Sequence, residues 1–481
     1  MMRVVVSLSL RTQLPRRVAL AVCVACSLCS EAYADAPALA EVRVDAPFEM
    51  PAIRVPDFSG CPRFSITDLG AKQNDKASAS DAISSAISAA HNAGGGVVVI
   101  PEGNWLSGKV HLKSNVNLHL DPGATLCFSE DPSDYLPAVP TTWEGMECYN
   151  YSPLIYAYNC RNIAVTGGGT LRADLAVWKV WYARPQTHLD ALKRLYEMAS
   201  TGVPVDQRQM AVGEAHMRPQ FIQFNRCENV LLEGVTIQNS PFWVIHPFLS
   251  RGVVIRGVRV NARGHNNDGV DPEMSQNVLI EDCDFNQGDD AISVKSGRNH
   301  DAWRLNTPSK NIVIRNCRVK NGHQLLAIGS ELSGGIENVL VEDCQVDKSL
   351  TGVGHLLYIK TNERRGGYAR NLYMRNVTAG DLRYGVLGIE TDVLYQWRNL
   401  VPTLEVRLTP ISGVFVQDVQ VGRVKYLSKI EGQSEAPVEN VSLVGVNASD
   451  IEGAAIENRN VEGFLLEDRP AGAISTARVP D

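Results

Sequence analysis

Short apolar stretches recur along the chain in a form that can be laid one over another. "NVLLEGVTI" begins at Asn229, "GVVIRGVRV" at Gly252, "NVLIEDCDF" at Asn277, "NIVIRNCRV" at Asn311 and "NVLVEDCQV" at Asn338. "NLYMRNVTA" at Asn371, "GVFVQDVQV" at Gly413 and "NVSLVGVNA" at Asn440 continue the series, with Asn162 opening an earlier copy and Gly463 a degenerate last one. The starts from Asn229 to Asn440 are 23, 25, 34, 27, 33, 42 and 27 residues apart, so the core of each unit is constant and the excess falls in loops. Each unit opens with Asn or Gly, which suits a left-handed or tight backbone. It then alternates apolar and polar residues with period two, as a strand with one buried face does. No helical periodicity separates the copies. The pattern therefore predicts an all-β parallel solenoid (a β-helix), one coil per repeat, each strand stacked on the copy before it.

One column of this alignment reads Val235, Val258, Cys283, Cys317, Cys344, Val377, Val419 and Val446. Cysteine alternates there with valine as a small apolar filler, which predicts free, stacked core thiols at Cys283, Cys317 and Cys344. Beyond residue 34 no CxxC pair exists to hold zinc. Cys127, Cys148 and Cys160 could pair with one another. Before residue 150, "DAISSAISAAHNAGGGVVVIPEGNW" predicts an amphipathic helix, a glycine turn and a buried strand. Such a helix would cap the open end of the solenoid. The pattern breaks from about 171 to 217, where "THLDALKRLYEMAS" reads as a helix in an insertion that could wall a cleft. Trp178 and Trp181 in it could stack on sugars or simply pack.

Composition changes the picture in two ways. The net charge of −7 over 481 residues argues against a nucleic-acid or anionic-membrane partner. Arg11, Arg16 and Arg17, the apolar run from Val18 to Leu28 and Ala32-Tyr33-Ala34 together predict an export signal over residues 1–34. The domain reading is then an N-terminal extension over 35–60 and a single catalytic β-helix over 61–481. It implies a bacterial exported protein, periplasmic or extracellular, and sets no oligomeric state.

Residues 266–290, "NNDGVDPEMSQNVLIEDCDFNQGDD", are dense in carboxylates. A solvated charge run is the plain explanation, but the repeat frame argues otherwise. Asp289 lies twelve residues after its unit start and His323 twelve after the next, so adjacent coils stack them. Asp268 falls in the loop of the preceding coil and Lys360 in a following one. Successive strand side chains alternate, so Asp289 and Asp290 cannot both face outward unless Gly288 permits a turn or bulge. Crowded carboxylates raise one another's pKa, and a protonated one can serve a leaving group. Paired carboxylates of this kind hydrolyse glycosidic bonds, with inversion when water fits between them.

Four motifs make the resemblance specific. "NND" at 266–268, "GDD" at 288–290, "GHQ" at 322–324 and "YIK" at 358–360 resemble, in order, the Asn-Thr-Asp, Gly-Asp-Asp, Gly-His-Gly and Arg-Ile-Lys of glycoside hydrolase family 28, the polygalacturonases and their relatives. The resemblance covers most of the chain after residue 34. It implies a right-handed parallel β-helix, no metal or other cofactor, and inverting hydrolysis of α-1,4-galacturonosyl linkages in pectic poly- or oligosaccharides. It implies Asp289 as general acid, Asp268 and Asp290 holding and activating water, and His323 tuning Asp289. Asn266 would help hold the site and Lys360 would bind a substrate carboxylate. "IGSELSGG" at 328–335, which contains Glu331, looks like the exo-acting bacterial members. Tyr358 stands where the motif has Arg and Gln324 where it has Gly. The lost guanidinium removes a carboxylate partner, for which Arg364 and Arg365, or Arg263 and His265, could compensate. Otherwise the substrate would be a rhamnogalacturonan or a substituted galacturonan. A calcium-dependent pectate lyase, with the three aspartates as ligands, is the competing enzyme class, and a non-catalytic binding solenoid the third. His355 reads as structural.

Overall fold

The computed structural model describes residues 36–348, 352–393 and 405–468. The export signal expected over 1–34 lies outside the described residues. The solenoid reading holds: the fold is a parallel β-helix. A 21-stranded sheet pairs the repeat strands of successive coils in parallel, among them Glu228–Glu233, Arg251–Arg256, Gln276–Glu281, Ser309–Arg315 and Ile336–Glu342. A second face consists of a 4-stranded and a 6-stranded sheet. Single bridges join these two, Ile245 to Val270 to Ile292 and Phe248 to Glu273 to Lys295. The irregular segment around Val270 thus takes the place of a strand, and it carries Asp268 and Asp271.

The unit-opening residues adopt the left-handed backbone that their identity predicts. Asn162, Asn229, Asn277, Asn311, Asn338, Asn371 and Asn440 have φ between 54° and 58°, and Gly252, Gly413 and Gly463 lie at 67–69°. The asparagines also form a ladder: Asn338 donates to Asn311 Oδ1 at 2.9 Å and accepts from Asn371 Nδ2 at 3.1 Å. Asn338→Ala should therefore lose two hydrogen bonds and strain the left-handed turn, at about 2–4 kcal/mol of stability. Asn338→Gly should cost about half as much, because glycine keeps the turn. Denaturant unfolding of the two variants checks the order.

The strands depart from simple alternation. Val278, Leu279 and Ile280 are all buried, as are the equivalent triplets at 230–232, 253–255, 312–314 and 339–341. The first and third members of each triplet face the interior. The middle members, Leu231, Val254, Leu279, Val313 and Leu340, form a separate apolar stripe, covered by Val44, Ile53, Val55 and Phe58. Those covering residues belong to the N-terminal segment, whose strands Ala38–Val42 and Ile53–Asp57 pair antiparallel. An apolar outer stripe thus exists because the N-terminal segment lies over it.

The helix Lys76–Asn92 is capped by Asp75, whose side chain accepts from Ser78 N at 3.2 Å. It buries Ala79, Ala82, Ile83, Ala86, Ile87 and Ala90 against the first coils, the spacing of one helical face. The cysteine–valine column is buried throughout, and all eight described cysteines are free thiols, including Cys127, Cys148 and Cys160. The insertion begins later than 171, because Thr170–Ala173 still pairs with strands on both sides. It contains helices Ala176–Trp181 and Gln186–Ser200. The second helix buries Leu192, Leu195 and Tyr196 with Trp143, Phe242 and Trp243 in a small core of its own. Trp178 and Trp181 are buried edge to face, with ring centres 5.0 Å apart, so they pack the insertion. Among the described residues no helix is long and apolar enough to cross a membrane.

Candidate active site

The second face gathers the chemistry. Ile292 pairs with Leu326, so the two preceding turns stack Asp289 under His323. His323 N donates to Asp289 O at 2.8 Å, and its Nδ1 lies 2.9 Å from Asp289 Oδ1. Gly288 matters sterically: a Cβ there would stand 2.0 Å from Gly264 O. Only glycine lets the chain close onto the neighbouring coil before the two aspartates. Asp290 then turns inward, 1% exposed, and accepts from Lys360 Nζ at 2.9 Å. Its other oxygen has no hydrogen-bond partner.

Behind these residues lies a buried charge cluster that the sequence reading did not assemble. Lys295 Nζ stands 3.3 Å from Glu331 Oε2, 3.5 Å from Asp268 Oδ2 and 3.7 Å from Asp271 Oδ1. Trp243 offers its ring face to the same ammonium, 4.7 Å from the centroid. Arg298 reaches Glu331, the Tyr196 hydroxyl and, at 3.3 Å, Glu144. The register could have revealed Lys295. Val294 pairs with Ile328 and Gly329 with Lys360, so both lysines occupy one outward column with a glycine between them. Glu331, quoted in a motif without a role, is the joint between the two cations.

A cavity of about 280 Å³ opens over these groups, lined by Asp268, Asp289, His323 and Lys360 together with Arg184, Glu144, Arg298 and Glu331. Asn266 also lines it, held in a left-handed turn and accepting from buried Arg218 at 2.9 Å. Tyr358 does not line it. Its ring stacks on His355 instead, 4.7 Å between centres, and lines a neighbouring cavity. Arg364 and Arg365 depart from expectation. They are 9% and 6% exposed and line none of the cavities around His323. Arg365 is pinned to Asn299 Oδ1 at 2.6 Å, and burial pulls its guanidinium down to about 10. His265 and Arg263 do border the cleft.

Burial, then the neighbouring Asp289 charge, pushes Asp268 up to about 7 against the pull of Lys295. Asp271 is raised too, by burial and by Asp268. Burial alone would also raise Asp289, but the hydrogen bond and charge of His323 outweigh it and hold that carboxyl below its ordinary range. His323 rises in return, chiefly through the Asp289 hydrogen bond. Burial and charge thus favour a proton on the Asp268 side and a charged pair at His323–Asp289. Asp268 binds its proton more tightly folded than unfolded. Its contribution to stability is therefore complete below the ordinary value of 3.8 and lost as pH rises through about 7. Asp268→Asn should accordingly flatten the decline in melting temperature between about pH 4 and pH 7, measured by thermal melts across that range.

Asp289, Asp290 and His323 bring one donor atom each within 4.8 Å of one another. An imidazole in that set and a lysine ammonium already on Asp290 suit a hard calcium ion poorly. The arrangement fits proton transfer between carboxylates better than an oxygen-lined ion cage.

The model of "Glycosyl hydrolases family 28" matches residues 206–469, a stretch that holds the three aspartates, His323 and Lys360 but neither Glu144 nor Arg184. A probable polygalacturonase of Vitis vinifera is 28% identical over 73% of this chain and 67% of its own length. An exo-poly-alpha-D-galacturonosidase of Dickeya chrysanthemi is 27% identical over 65% of this chain and 54% of its own, so the match spans about half of that relative. Among solved structures, a hyperthermoactive exopolygalacturonase from Thermotoga maritima superposes with a TM-score of 0.79 at 35% identity, covering 86% of this chain and 94% of that one.

Proposed function

Since the chain belongs to the glycosyl hydrolases family 28, we propose that it is an exported, exo-acting polygalacturonase that releases terminal galacturonate from pectic oligosaccharides by inverting hydrolysis. The observation that carries the exo assignment is the walled cavity beside Asp289. Its far side is built by Glu144, from the turn after Val139–Trp143, by Arg184, from the insertion, and by the Arg298–Glu331 pair. In this reading these groups bound the terminal sugar and leave a longer chain no way past it. Four cations (Arg184, Lys295, Arg298 and Lys360) line the cavity beside four carboxylates, so a uronate meets positive charge there although the chain is acidic overall.

In this reading Asp289 protonates the bridging oxygen, while Asp268 and Asp290 hold and activate water. Lys360 steadies Asp290 and presents positive charge to the sugar carboxylate, and His323 orients Asp289. A second assignment is favoured by environment: burial and the Asp289 charge raise Asp268, whereas His323 holds Asp289 down. With the roles exchanged, Asp268 is the acid. In either case the site works with one proton shared among its carboxylates. We expect kcat/KM to fall as pH rises past about 7, read from initial rates across pH.

Incubation with polygalacturonate and short oligogalacturonides in chelator, with chromatography of early products, tests the reading. Free galacturonate from the first time point supports it. Larger oligomers at early times would make the enzyme endo-acting, and unsaturated products would make it a lyase. Activity confined to a branched pectic fragment would move the substrate to a rhamnogalacturonan or a substituted galacturonan.

A further inference from the structure

Two positions where this chain departs from its family's motifs prove to be one structural unit. Gln324 Oε1 accepts from His355 N at 2.7 Å and lies 3.1 Å from His355 Nδ1. That contact makes Nδ1 the protonated nitrogen and leaves Nε2 to accept from the Tyr426 hydroxyl, 2.8 Å away. Burial holds this imidazole neutral, pulling its pKa down to about 3. Its ring is sandwiched between Tyr358 and Tyr384, at 4.7 and 5.3 Å, with interplanar angles of 4° and 26°. The motif arginine is therefore replaced by one layer of a rigid aromatic stack that cannot bind a carboxylate by charge.

A guanidinium nevertheless stands beside that stack. Arg383 opens the next coil, just inside strand Leu382–Glu390, where the register against Val353–Lys360 shifts. It is exposed, and among the described residues it has no ion-pair partner. It borders two cavities that both reach His323, one of about 360 Å³ shared with Asp289 and one of about 810 Å³ floored by Tyr358 and Tyr384. Its charge acts on both His323 and His355, opposing their protonation. Its stem lies by the Tyr384 ring, with the guanidinium 5.7 Å from the centroid. Resting on the exo-hydrolase reading, we propose that Arg383 binds the carboxylate of the leaving-group sugar, taking over from the next coil the task of the missing motif arginine, while the Tyr358–His355–Tyr384 stack supports that sugar's ring. An arginine fork suits a planar carboxylate in two-point contact.

The test compares trigalacturonate with the same trimer methyl-esterified on its middle residue, the sugar next to the scissile bond. Arg383→Gln should lower kcat/KM on the free acid by about 10–100-fold and change the ester by less than about threefold. Adding Tyr358→Arg to Arg383→Gln, which returns a guanidinium to the motif position, should recover much of the loss on the free acid. An equal loss on both substrates would make Arg383 structural, and no loss on either would place the carboxylate elsewhere. Both outcomes overturn the inference. Calorimetric Kd values for the two trimers on Asp289→Asn, with and without Arg383→Gln, keep it separate from the underlying reading. A wild type that binds trigalacturonate without cleaving it would sink the hydrolase reading, and the Kd ratio would still judge Arg383.

Discussion

Asp289→Asn is expected to lower kcat on oligogalacturonides by about 10²–10⁴-fold while leaving substrate binding nearly intact. An amide fills the same space but cannot hand a proton to the departing oxygen. His323, whose raised pKa depends on the Asp289 carboxylate, should titrate lower in the variant. The informative comparison uses an aryl galacturonide whose phenol leaves without protonation. On that substrate Asp289→Asn should regain most of its rate, whereas Asp268→Asn and Asp290→Asn should not, because attack by water still needs a base. Should the rescue follow Asp268→Asn instead, the raised pKa of Asp268 marks the true acid and the two assignments exchange.

Arg298→Ala is expected to have the largest effect on stability, about 3–5 kcal/mol. Arg298 is 3% exposed and holds Glu331, Glu144 and the Tyr196 hydroxyl together. Its removal leaves the buried carboxylate of Glu331, which sits well below its usual pKa because Arg298 and Lys295 outweigh its burial, with one cation fewer. Adding Glu331→Gln should return part of the loss, since no uncompensated charge then remains. The single variant should also lose activity beyond its loss of stability, because Arg298 lines the cavity beside Asp289. Urea unfolding and kcat/KM, measured below the unfolding transition, separate the two effects.

The fold was legible because a solenoid writes its register into the sequence. An Asn or Gly opening each unit, followed by a fixed apolar core, gave both the coil and the column in which Cys283, Cys317 and Cys344 lie. The same register places Asp289 beside His323 on adjacent coils. Period two failed where a second layer intervenes. Leu279 and its equivalents face away from the interior, and their burial depends on an N-terminal segment far earlier in the chain, which no local pattern encodes. Arg364 and Arg365 lie away from the cavities around His323 for a related reason. Their burial is set by Asn299 and Trp303 from an earlier coil, which no local pattern encodes. Lys295 was recoverable from the register of the lysine column. Arg383 was not, because its place depends on an irregular pairing at Val353 and His355.

The central claim is that a terminal galacturonate enters a closed pocket and leaves with inverted configuration. Proton NMR of trigalacturonate during the first turnovers tests it most directly. The account predicts monomeric β-galacturonate as the first new signal, with digalacturonate as its partner and mutarotation to the α form following later. Initial release of the α anomer would contradict inversion, and an unsaturated uronate would contradict hydrolysis itself.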